Sequence, residues 1–410
     1  MHILMLCPDC YMIDRRVTQQ ARTLVEAGHK VTLLSGFECE RESHYQQDGV
    51  DIHRYFYQDR SAVVAGVRAL APKGFRPPAW ARNLFHRFRR VVEGGDHFDR
   101  FVLQRARQFP ADVVHVHDLA LLRHGLELAQ QWETPLVFDA HEIYYEEDGI
   151  TGYQRRRLQK DERRAMDRLD LFITVNDLIA DYYEAKYHRR PLVLLNAPYL
   201  PPEGFDRHSR QMLRQRAGLE PGAKIALFQG WFSHERNILN LIRAVEFFPP
   251  DAYLVFIGYG EFEEQMTHLA ASLPWGRRVR FLGRVESDDI LELTAGADVG
   301  VIPYLPTCLN SQLCSPNKFF EFTNAGVPFV SHHLAFMQQL GGQHGIVLTG
   351  DFTTPEGMAQ PIVRLLTDDE LRADMRGACR KARAELNWQV EGRKLLAAYQ
   401  PVLARARQRA

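Results

Sequence analysis

The sequence predicts an α/β chain made of two doubly wound domains, each a mainly parallel sheet with helices on both faces. Three observations carry that expectation. The strand-like segments are near-continuous apolar runs, as strands buried on both faces are. Helix-like segments alternate with them along the chain. At 410 residues the chain is also too long for a single core.

The strands read in order. HILML opens the first half, followed by KVTLL, VVHV, PLVFD, LFITV and LVLLN. IALFQG, YLVFIG, VRFLG, VGVIPY and VPFVS repeat the theme in the second half. Between the halves, Ala197 to Arg207 (APYLPPEGFDR) has three prolines and a glycine, the composition of a linker. The expected domains are therefore 1–197 and 208–387, with a last helix, Trp388 to Arg407, crossing back to the first. Two such domains would face a cleft with the C-terminal ends of their strands, where ligands bind in sheets of this kind.

Composition narrows the function. Apolar residues make up 45% and charged residues 25%, which is globular, and Lys+Arg and Asp+Glu both number 51. That balance gives no field for a nucleic-acid partner. No apolar run has the length of a membrane span and no signal peptide precedes the first strand, so a cytoplasmic chain is expected. Six cysteines make no disulfide framework. Cys7-Pro8-Asp9-Cys10 has redox spacing, but nothing else suggests a thioredoxin-sized unit and no second pair completes a zinc site. Loop cysteines are the better reading.

Several stretches carry chemistry. In CSPNKFFEFTNAGVPFV, Cys314 to Val330, Lys318 and Glu321 are three apart and share a helix face. IALFQ ends in Gly230, and a helix opens near Arg236-Asn237, a turn that presents backbone N–H groups to an anion. Gly258-Tyr259-Gly260 starts like a dinucleotide fingerprint, but Glu263 stands at the third glycine, so a tight turn is expected. In VVHVH, His115 and His117 are expected on opposite faces, with His115 in the core and His117 nearest the strand end. DAHEIYY is no zinc-protease helix, because Tyr145 stands where a second histidine is needed. Asp139, His141 and Glu142 follow a strand end and suit an acceptor hydroxyl.

Taken together, GWFSHERNILNLIRA, YLVFIGYGEFEEQM, VRFLGRVESDDILELTAGADVGVIPY and SPNKFFEFTNAGVPFV resemble the donor domain of retaining GT-B glycosyltransferases of family 4. DRRVTQQARTLVEAGHKVTLLS, DVVHVHDLALL, PLVFDAHEIYYEE and LFITVNDLIADYY resemble its acceptor domain, in order. The resemblance implies GT-B architecture: two Rossmann-like domains moving a sugar from a nucleotide-diphosphate sugar to a saccharide or lipid-linked acceptor. It places Glu321 on the ribose, with Gly326 and Pro328 at the family's spacing. Arg236 and Lys318 would face the diphosphate, beside Gly230 and Asn317. His117 would stand at the reacting carbon as the catalytic group, and Asp14, Arg15 and Arg16 would line the acceptor side. Neither a cofactor nor a metal is implied, and the chain has no D-x-D. Cationic side chains and helix N-termini would stabilise the leaving diphosphate, which itself helps to deprotonate the acceptor.

Two positions depart from the family pattern. Leu313, with Gln312 beside it, occupies the place of a sugar-contacting glutamate, and Trp231 that of a phosphate arginine. A non-catalytic nucleotide-sugar-binding or scaffold protein on the same fold is the alternative these departures leave open. From Arg60 to Arg90 the chain carries eight Lys or Arg and no Asp or Glu. There Trp80, Leu84, Phe88 and Val91 recur at helical spacing among Arg82, Arg87 and Arg90. Such a helix in residues 60–92 suits an anionic membrane surface on the cytoplasmic side, against the alternative of a surface helix packed on its own domain.

Overall fold

The computed structural model describes residues 1–8, 14–36, 38–57, 97–147, 150–200, 205–285 and 287–408. The basic segment 60–92 and Cys10 lie outside the described residues. The chain forms two units, Met1–Leu194 with Gly392–Ala410, and Leu195–Glu391.

The first unit is built on an eight-stranded sheet. Its strands are β1 (His2–Leu6), β2 (Lys30–Ser35), β3 (Glu38–Gln47), β4 (Val50–Phe56), β5 (Val113–His117), β6 (Leu136–Ala140), β7 (Leu171–Thr174) and β8 (Leu192–Val193). The order is β3-β4-β2-β1-β5-β6-β7-β8, parallel throughout except for the antiparallel pair β3–β4. Every residue of β5 and β6 is buried, which is why both read as uninterrupted apolar runs broken only by His115, His117 and Asp139.

The second unit holds six parallel strands, β9 (Lys224–Trp231), β10 (Ala252–Tyr259), β11 (Val279–Phe281), β12 (Val299–Ile302), β13 (Phe329–His332) and β14 (Val347–Gly350). They are ordered β11-β10-β9-β12-β13-β14. In each sheet the chain starts centrally, winds one way, and returns on the other side of its first strand. The reversal falls between β1 and β5 in one sheet and between β9 and β12 in the other, the point where doubly wound sheets bind ligands.

Strands β3, β4 and β14 were not expected, and each hides for its own reason. β3 reads ECERESHYQQ, and residues 41–49 are exposed, so no apolar pattern marks this edge strand. β4 buries Val50, Ile52 and Tyr55 but alternates, unlike its parallel neighbours. β14 has only four residues, all partly exposed.

Helix Arg15–Glu26 opens just beyond the end of β1. The Asp14 carboxylate caps it by accepting from the Arg16 backbone N–H at 2.7 Å, while Val17, Ala21 and Leu24 face the core. The last helix, Trp388–Arg407, belongs to the first unit from Gly392 onward. It buries Leu395, Tyr399, Val402 and Leu403 there, and Arg405 pairs with Asp170. Each fully buried aliphatic side chain of this kind is worth about 1.5–3 kcal/mol. Among the described residues no helix is long and apolar enough to cross a membrane.

Candidate functional site

In the second unit, polar groups gather at the C-terminal ends of β9 and β12. β9 reaches Gly230 with φ of 121°, and a Cβ there would come within 2.5 Å of Lys318 Nζ. The missing side chain is what lets this ammonium reach the strand end. Lys318 extends from helix Asn317–Asn324, and its Nζ lies 5.4 Å from the ring centre of Tyr304, just past β12. The Arg236 guanidinium sits over the same ring at 4.1 Å. A buried tyrosine thus holds two partly exposed cations together at the sheet's reversal, an arrangement suited to a di-anionic group. Gly258 serves this packing: a Cβ on it would be 1.9 Å from the Gly230 carbonyl oxygen, so GYG marks close backbone approach rather than a pyrophosphate loop.

Glu321 lies one turn along from Lys318, and Gln229 Nε2–H donates to its carboxylate at 2.5 Å. Gln229 in turn accepts from the Thr294 hydroxyl at 2.7 Å and is 1% exposed. This buried amide sets the carboxylate's orientation, and sequence reasoning missed it. Its signal was one amide in the otherwise apolar IALFQG. Tyr304 and Thr294 left no comparable trace. Asn317 opens the helix and is partly exposed. Trp231 is 43% exposed with its ring edge-on to Tyr259 at 5.0 Å. Leu313 closes the short helix Leu309–Leu313 beside the exposed Gln312.

In the first unit, a buried network surrounds Asp139 at the end of β6. Arg16 Nε donates to Oδ2 and Nη2 to Oδ1, each at 2.8 Å, and Gln20 Nε2 donates to Oδ2 at 2.5 Å. Arg16 Nη1 also donates to the Leu194 carbonyl at 2.6 Å. Arg16 and Asp139 are buried and spend their hydrogen bonds on one another, Gln20 and the Leu194 carbonyl rather than on an acceptor, which corrects the expectation for both. They position the groups around them. Asp14, also expected on the acceptor side, spends its carboxylate on the helix cap, while Arg15 and Glu142 remain partly exposed.

His117 lies across from Asp139, its Nδ1 3.4 Å from Asp139 Oδ2 and 3.3 Å from His141 Nε2. The rings of His115 and His117 stack at 4.3 Å, so the two share one face of β5. The opposite-face expectation fails because two residues are one full period of a strand. His115 is core as expected, its Nδ1 2.6 Å from the Tyr399 hydroxyl. His117 Nε2 is buried without a hydrogen-bond partner among the described residues.

His141 is clamped between two carboxylates, its Nδ1 3.2 Å from Asp118 Oδ2 and its Nε2 3.2 Å from Asp139 Oδ2. Asp118 adopts φ of 59° and ψ of 157°, strained for a residue with a Cβ. Although it sits at the N-cap of helix Leu119–Trp132, it makes no side-chain cap; its carboxylate accepts from the His141 backbone N–H at 3.2 Å. Burial alone would push the His141 pKa down, but Asp118 and Asp139 outweigh it and hold the ring charged, well above its usual range. Burial would raise Asp139, yet Arg16, then His141, keep it well below the carboxylate range. His117 and His115 are both lowered, chiefly by burial, so both are neutral.

Donor atoms of His115, His117 and Asp139 lie within 4.8 Å of one another. They do not suit a cation, because Arg16 already neutralises Asp139 and occupies both its oxygens.

Residues 13–197 match the family model of the glycosyl transferase 4-like domain, and residues 223–368 that of glycosyl transferases group 1. A glycogen synthase of Mycobacterium tuberculosis is 23% identical over 402 residues, covering 92% of this chain and 88% of its own. A D-inositol 3-phosphate glycosyltransferase of Corynebacterium diphtheriae is 25% identical over 316 residues, 70% of each. Among solved structures, sucrose-phosphate synthase from Thermosynechococcus elongatus superposes with a TM-score of 0.72 at 14% identity, over 98% of this chain and 99% of its own. Anabaena HepE in complex with UDP superposes with a TM-score of 0.69 at 16% identity, over 97% of this chain and 99% of its own.

Proposed function

The chain belongs to the glycosyltransferases of GT-B fold that resemble family 4, and we propose that it moves a sugar, with retention, from a nucleotide-diphosphate sugar to an acceptor hydroxyl. One observation carries the donor assignment. Arg236 and Lys318 meet around Tyr304 at the sheet reversal, with Lys318 against Gly230 and one helical turn from a carboxylate held by a buried amide. Two fixed cations fit a diphosphate, and a carboxylate accepts from two ribose hydroxyls at once. Asn317, at the helix start, adds backbone donors to the same anion.

In this reading the bond from the anomeric carbon to the diphosphate oxygen breaks and a bond to the acceptor oxygen forms on the same face. The acceptor's proton passes to the leaving phosphate, and Arg236 and Lys318 hold the charge that develops there. His117 steadies the sugar through Nε2, its one ring nitrogen with no partner among the described residues. His141 and Glu142 lie on the acceptor side. This reading calls on no cofactor or metal.

The relatives' names support a polymer or glycoconjugate product. They include a monoacylated phosphatidylinositol monomannoside mannosyltransferase named as GDP-mannose-dependent, and WaaG, titled as involved in lipopolysaccharide biosynthesis. HepE has been solved with UDP and with UDP-glucose. A cytoplasmic enzyme that docks reversibly on the membrane's inner face through residues 60–92 is consistent with such an acceptor.

A thermal-shift panel of UDP-, GDP-, ADP- and TDP-sugars tests the donor assignment. The matching nucleotide should stabilise the fold by about 2.7 kcal/mol at a hundred times its Kd. No shift with any nucleotide would remove it. Donor turnover with and without acceptor then reads transfer itself.

A further inference from the structure

We propose that the β3–β4 hairpin carries a site for one divalent transition-metal ion of the zinc type, formed by His44, Asp51 and His53. His44 and His53 are directly opposed in the antiparallel register, and Asp51 precedes His53 by one strand period, so all three project from one face. His44 Nε2 lies 2.6 Å from Asp51 Oδ1, and His53 Nε2 lies 3.1 Å from Oδ2. The imidazoles stack at 4.1 Å and 14°, and the three donor atoms are all within 4.8 Å of one another. A tetrahedral ion with bonds of roughly 2.0–2.1 Å needs its ligands about 3.3 Å apart, a small adjustment from this spacing.

Unlike the cluster at Asp139, this one has no guanidinium bonded to its carboxylate among the described residues. The Asp51 carboxylate is bonded by the two imidazoles themselves, which keep its pKa below the usual range against the opposing effect of burial. Two nitrogens and one oxygen select zinc, nickel, copper or cobalt over calcium or magnesium, which take oxygen ligands. His53 is only 15% exposed and packs on Phe109 at 4.5 Å, which holds its ring in place. His44 is 60% exposed and leaves the fourth position to water.

The site also answers a structural need. Residues 41–49 are exposed, and the register slips between Glu38 and Ser43, so from residue 41 onward β3 buries no side chain of its own. An ion bridging His44 and His53 would add metal bonds to the strand pairing, the His44–Asp51 hydrogen bond and the ring stack that join the two strands now. Without a metal, the three side chains form a partly exposed hydrogen-bonded cluster that contributes little.

The test titrates zinc ion alone into the chelator-treated full chain by calorimetry, with hydrogen exchange followed across residues 41–56. One ion should bind per chain, and amides of β3 should exchange more slowly once it is bound. His44→Gln, a change at an exposed position that leaves the fold intact, should weaken binding at least tenfold; even outer partners of metal ligands cost about 10–100-fold. It should also abolish the slowing. No saturable binding at one ion per chain, or binding unchanged in His44→Gln, would overturn the site.

Discussion

The Arg16 guanidinium grips the Asp139 carboxylate through two hydrogen bonds of 2.8 Å each, linking helix Arg15–Glu26 to the end of β6 in a place closed to solvent. Removing one member of such a pair strands the other. Arg16→Ala is expected to cost about 3–5 kcal/mol of unfolding free energy, and Arg16→Lys a large part of that, since an ammonium cannot make the bidentate fork. Denaturant titration reads this directly. A loss below about 1 kcal/mol would mean that the pair contributes nothing to folding.

His141 should stay charged in the folded chain well past the pH at which a free imidazole loses its proton. Because its folded pKa is raised, the stability it contributes is fully present below about pH 6.5 and disappears as pH rises through the folded value. Asp139 runs the other way: its depressed pKa adds stability above about pH 3.8 that is lost as pH falls further. Asp118→Asn removes one clamp, so its deficit against the parent should be largest below pH 6.5 and shrink in alkali. A deficit that does not vary with pH would show that the Asp118 charge does not hold the proton on His141.

Glu321→Ala is expected to lose nucleotide-sugar affinity by roughly tenfold or more, the worth of a hydrogen bond to a charged acceptor, while the far-ultraviolet spectrum is retained. Calorimetry with the nucleotide found in the thermal-shift panel checks it. Unchanged affinity would remove Glu321 from the donor site.

His117→Ala should lower kcat more than it weakens donor binding, since its Nε2 is assigned to the reacting sugar rather than the nucleotide. Equal losses in both would leave it a packing residue beside His115.

The basic segment makes a prediction of its own. Flotation with anionic vesicles should capture the chain at low salt and release it as ionic strength rises. Replacing Arg82, Arg87 and Arg90 by Glu should abolish capture, and no association at low salt would leave a soluble acceptor as the substrate.

Local pattern determined the strands and their class. Parallel strands buried on both faces must be apolar along their length, so VVHV, PLVFD, IALFQG and YLVFIG stand out from any neighbouring segment. The Gly230 turn and the Lys318–Glu321 spacing were legible for a similar reason, since each depends on residues close in sequence. Tertiary structure alone decided the rest. Tyr304 gathers Arg236 and Lys318 from separate elements, and Gln229 reaches Glu321 from 92 positions away. Arg16 and Asp139, 123 positions apart, looked like two exposed site residues until folding buried each against the other. A charge's role depends on whether water or a counter-charge surrounds it, and only the folded arrangement sets that.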